Sequence, residues 1–148
     1  MRMCYTHRRL FGQLVLNLLT EGKEDMAKKA LAYAEKAIPA YNVPLTFVSG
    51  AADLARGYAA LGDQANAKRI LSAVFKNECD YMNWYNSLSP SRFAMSQQDC
   101  WEKIYYIDSC VRIAESIGDA AYYDNMLREY SRIMEVYMAK GGQMPEYR

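Results

Sequence analysis

A single histidine and four scattered cysteines, in a chain of 148 residues, leave little with which to build a reactive centre. A nucleophilic Ser/His/Asp or Cys/His site would have to use His7, which sits in the first turns of a helix that frays at its end. Cys4, Cys79, Cys100 and Cys110 lie 75, 21 and 10 residues apart and form no CxxC pair. That spacing does not suit a zinc site, and Cys4 with His7 on one helix face would still supply only two ligands. The cysteines read instead as small apolar core residues. Gly141-Gly142 opens no helix, so no phosphate-cradling loop is expected. Neither catalytic residues, nor a metal, nor a cofactor is expected from this inventory.

Charge of one sign is also scarce. The net charge is +1, without the basic footprint of a nucleic-acid binder. Arg2, Arg8 and Arg9 form the one local excess and are read as a solvated helix face. No apolar run approaches the roughly 18–20 residues of a membrane-spanning helix, so direct membrane insertion is not expected. The opening MRMCYTHRRLFG lacks the apolar core and small-residue cleavage site of a signal peptide.

What the sequence does have is helical periodicity, with no strand-like alternation. Hydrophobic residues make up 51% and charged residues 24%, a globular balance. The four prolines and eight glycines fall mostly near apparent helix ends. The pattern predicts helices over 5–20, 23–38, 47–61 and 64–76, a short aromatic helix over 78–88, one long helix over 91–117, and a last helix from Asp119 to about residue 139. Glu21, Glu24 and Asp25 sit where they favour a helix N-terminus. Residues 141–148 are expected to form a loose tail.

Two windows repeat. EGKEDMAKKALAYAEKAIP carries Gly22, Ala27 and Leu31, and LGDQANAKRILSAVF carries Gly62, Ala67 and Leu71, 40 residues on. A weaker copy has Gly118, Tyr123 and Leu127. On these residues the chain resembles a tetratricopeptide (TPR) repeat protein. The match runs over 8–41, through Phe11, Leu14, Leu18, Ala27, Leu31, Ala34 and Pro39, and over 48–81, through Leu54, Ala55, Tyr58, Ala67 and Leu71. A degenerate hairpin follows over 91–140. The resemblance implies an all-α, right-handed α-solenoid of about seven helices in antiparallel hairpins, forming a single domain.

The order of an opening hairpin, Val43-Pro44, a second hairpin, the segment Asn83 to Ser91 and a long helix is also similar to the soluble C-terminal part of a bacterial membrane family. The much larger N-terminal part of that family resembles a protein O-mannosyltransferase. This implies a fragment that regulates or stabilises a membrane glycosyltransferase whose active site lies elsewhere.

The leading functional expectation is a non-catalytic protein–protein interaction module with a protein or peptide partner. The TPR register puts Arg9, Gly12, Leu16, Ser49, Ala52 and Arg56 on the concave face, where the two arginines suit a carboxylate. The 13 tyrosines add a second signal. Most belong in an aromatic core, while some, Tyr105 among them, are expected to reach a partner surface. Two to three repeats also leave end faces uncovered, so self-association into a homo-oligomer is a further expectation.

Overall fold

Three glycines at positive φ set the turns. Gly22, Gly62 and Gly118 adopt φ of +73°, +76° and +83°, the left-handed region open to a residue without a Cβ. Gly22 and Gly62 meet nothing that a Cβ would strike, so only the backbone conformation selects them. At each of these two, the second residue after the last carbonyl folds back: Lys23 N–H donates to Leu18 O and Asp63 N–H to Tyr58 O.

The computed structural model describes residues 2–145. It consists of α1 (Arg2–Thr20), α2 (Glu24–Ala37), α3 (Ala51–Ala60), α4 (Gln64–Ser87), α5 (Pro90–Met95), α6 (Gln97–Ile117) and α7 (Ala120–Ala139). Among the described residues there is no strand, and the fold is all-α. None of these helices is long and apolar enough to cross a membrane.

α1 packs on α2 and α3, α3 on α4 and α6, and α6 on α4 and α7. Small residues allow the close crossings. Ala27, Ala34, Ala55, Ala67 and Ala114 are all buried. At Gly57 a Cβ would stand 2.6 Å from Val15 Cγ1, so the missing side chain on α3 makes room for Val15 of α1. The centre of the core holds Ile70, Leu71, Val74, Ile107 and Cys110, all fully buried. A polar brace joins three helices at its edge: the Tyr58 hydroxyl donates to Glu35 Oε2 at 2.5 Å, and Arg69 Nη2 donates to Glu35 Oε1 at 2.6 Å.

The partition into helices differs from the sequence expectation in four places. Residues 64–87 form one helix, not two, because nothing at 76–78 breaks the ladder and Glu78, Cys79 and Met82 continue its buried face. The long helix expected over 91–117 is divided at Ser96. There Ser96 Oγ donates to Arg92 O and Gln97 Nε2 to Phe93 O, so side chains occupy carbonyls that a continuous helix would use. α3 begins only at Ala51, since Gly50 takes φ +80°. The tail is docked as far as Pro145. Gly142 is buried under the Tyr137 ring, and Gln143 O accepts from Tyr137 Oη at 2.7 Å and from the Trp101 indole. Residues 146–148 of that tail lie outside the described residues.

Candidate functional site

Residues from four separate elements meet in one open groove of about 360 Å³. Arg9 comes from α1. Phe47, Val48 and Gly50 come from the connector between α2 and α3. Ala52, Asp53 and Arg56 come from α3, and Tyr105 and Tyr106 from α6. A second cavity of about 320 Å³, lined by Thr6, Arg9, Leu10, Gln13 and Asp53, adjoins it. The two share Arg9 and Asp53, so together they form a trough that runs from α6 across α3 and along α1.

Close packing places the walls. A Cβ on Gly12 would lie 2.7 Å from Asp53 Cβ, and one on Gly50 would lie 2.6 Å from Arg9 Cγ. The absence of side chains at these two positions brings Arg9 and Asp53 side by side. The aromatic wall is stacked: Phe47 and Tyr106 lie parallel with ring centroids 4.2 Å apart, and Tyr105 meets Phe47 edge-on at 6.4 Å.

The trough carries two guanidinium groups against one carboxylate. Arg56 Nη1 donates to Asp53 Oδ1 at 2.6 Å. Arg9 is exposed, and among the described residues it has no ion-pair or side-chain hydrogen-bond partner. The arrangement offers a flat apolar surface beside one uncommitted and one half-committed cation.

The connector that supplies Phe47, Val48 and Gly50 is anchored by Arg8, which is fully buried and not on a solvated face. Its guanidinium donates to Ile38 O at 3.1 Å, Val43 O at 2.7 Å, Pro44 O at 2.9 Å and Ser49 Oγ at 2.9 Å. Burial lowers its pKa below the ordinary value, and no carboxylate pairs with it among the described residues. Ser49 completes the anchor, donating to Thr46 O and accepting from Thr46 N–H.

The five residues proposed from sequence therefore divide. Arg9, Arg56 and Tyr105 line the trough. Ser49 is fully buried in the connector and faces no partner. Leu16 is half-buried and lines none of these cavities. Ala52 lines the groove, whereas Gly12 is packed against α3. Phe47, Asp53 and Tyr106 complete the site without having been singled out for it. The Asp53–Arg56 pair was available from its three-residue spacing. Phe47 was hidden by its assignment to a helix that starts four residues later.

Three of the four thiols, Cys79, Cys100 and Cys110, are buried. Burial pushes Cys79 up to about 12 and Cys100 up to about 11, and raises Cys110 as well, so all three are protonated at neutral pH. Among the described residues no group of three or more His, Cys, Asp and Glu side chains is placed to hold a metal ion. No protein-family model, curated protein or solved structure matches the chain.

Proposed function

We propose that this chain is a non-catalytic, TPR-like interaction module that holds an extended peptide bearing an anionic group. The observation that carries this reading is the trough itself, with Arg9 uncommitted at the junction of its two cavities and a stacked aromatic wall at one end. The carboxylate or other anion sits against Arg9 and Arg56. An apolar side chain of the same peptide lies on Phe47, Tyr105 and Tyr106.

The helix order supports the solenoid part of the reading. α1, α3 and α6 touch in succession, and each packs on the helix that follows it across a glycine turn, as hairpins in a stacked array do. An open trough over successive first helices suits an extended chain better than a compact small molecule. Preorganisation by Arg8 lowers the ordering cost of binding.

The test is partner recovery on the immobilised chain, wild type against Arg9→Glu/Arg56→Glu. Both positions are exposed, and circular dichroism checks that the variant keeps its fold. Loss of the recovered partner is the expected result. Unchanged recovery by the double variant excludes the trough as the binding surface.

A further inference from the structure

A second surface of opposite charge lies on the far half of α4. That helix spans 24 residues, while its hairpin partner α3 spans ten. Beyond the end of α3, α4 turns its inner face to α6 and α7 through Cys79 and Met82, which are buried. The opposite face carries Asn77, Asp80, Tyr81 and Trp84, at spacings of three, four and seven residues, and so on one side of the helix. These four line an open cavity of about 370 Å³. Trp84 is 56% and Tyr81 46% exposed, so two neighbouring large rings stand open to solvent on one helix face.

The charge around these rings is acidic. Asp80 is held only by Lys76, in an exposed pair of the kind that contributes little. Asp99 and Glu102 on α6 lie near Tyr85, whose ring meets Trp84 edge-on at 4.9 Å. Burial, and then the carboxylates of Asp99 and Glu102, raise the Tyr85 phenol. Among the described residues Asp99 has no ion-pair partner, and Glu102 forms an ion pair only with Lys103, at 3.6 Å. Lys103 is itself turned inward to Glu78 at 3.3 Å. It also demonstrates the chemistry of this face, since its ammonium group lies 4.7 Å from the Tyr81 ring centre. One face of Tyr81 thus already holds a cation.

We propose that the Tyr81–Trp84 face of α4 docks a basic peptide segment, with an arginine or lysine side chain laid over Trp84 and paired with Asp80. Aromatic faces attract cations through the ring quadrupole, and adjacent carboxylates add charge complementarity. The surface shares no lining residue with the trough, although Lys103 lies between Tyr81 and the trough's Tyr106, and it does not depend on the function proposed above.

The probe is a blocked peptide, acetyl-Gly-Arg-Gly-Arg-Gly-amide, titrated into the whole chain while the indole N–H resonances of Trp84 and Trp101 are followed by NMR. A saturable shift at Trp84, absent at Trp101, is expected. The citrulline analogue, which keeps the shape and loses the charge, binds about 2- to 5-fold more weakly, the size of one exposed cation–π contact. Asp80→Asn weakens binding by a similar factor, as does Trp84→Ala when the titration is followed at the Tyr81 backbone amide, and thermal melting checks that both exposed substitutions leave the fold intact. Arg9→Glu/Arg56→Glu leaves the Trp84 response unchanged, which separates this site from the trough. No shift at Trp84, an equal response to the citrulline peptide, or a shift that appears only in trough residues overturns the proposal.

Discussion

Arg8 concentrates more of the architecture than any other polar residue. It joins the first helix to the connector at four points, from Ile38 to Ser49, without a counter-charge. Neutral acceptors spread the charge, and the planar fork serves four acceptors in a fixed geometry, one more than the three N–H groups of a lysine can supply. Replacing Arg8 by Met leaves buried carbonyl oxygens of Ile38 and Val43 without this donor. The expected cost is roughly 2–4 kcal/mol in urea unfolding, since each stranded buried group costs about 1–3 kcal/mol. A stability equal to wild type would show that the anchor carries no net energy. The sequence placed Arg8 with Arg9 on a solvated face. Adjacent helix positions differ by about 100°, so one faces in while the other faces out. Which of the two is buried depends on where the 42–50 connector lies.

At the level of the element, two helix starts, those of α4 and α7, have acidic caps. Asp63 accepts from Asn66 N–H at 3.1 Å and from Asn66 Nδ2 at 2.8 Å, and Asp119 accepts from Tyr122 N–H. Hydrogen bonding by Asn66 holds the Asp63 carboxyl below its ordinary value, and hydrogen bonding by Lys68, then by Tyr122 N–H, does the same for Asp119. A carboxyl whose folded pKa is depressed stabilises the fold fully above its unfolded value of about 3.9. That contribution is lost as pH falls through the lower folded value. Asp63→Ala should therefore destabilise by about 1 kcal/mol at neutral pH, and thermal melts should show the gap to wild type narrowing below about pH 4. A gap independent of pH would contradict the cap. The glycine turns and Asp119 were legible in the sequence because their signals lie within a few residues. The continuity of α4 was not. Its aromatic stretch suggests a separate helix, whereas long-range burial of Cys79 and Met82 against α6 and α7 keeps the ladder running.

For the whole molecule, the pattern of helix contacts makes α3, α4 and α6 the interior of the fold. Each has neighbours on more than one side, while α2 packs mainly on α1. Hydrogen exchange should therefore be slowest around Leu54–Tyr58, Ile70–Val74 and Ile107–Ala114, and faster through α2 and the short α5. Slowest exchange in α2 would place the stable core elsewhere.

The sequence by itself determined the helical class, the three glycine turns, the small residues at the helix crossings and the Asp119 cap. These depend on interactions within about four residues, which periodicity and turn chemistry report directly. Three trough residues, Arg9, Arg56 and Tyr105, were also visible from it. Only the tertiary structure decided that they meet. Arg9 and Tyr105 are joined across 96 positions by the packing of α1 on α3 and α3 on α6. The same packing turned Arg8 and Ser49 inward, seated Phe47 on Tyr106 and drew the tail onto Trp101. Contacts at such separation depend on how whole helix faces fit together, and no local pattern encodes that fit.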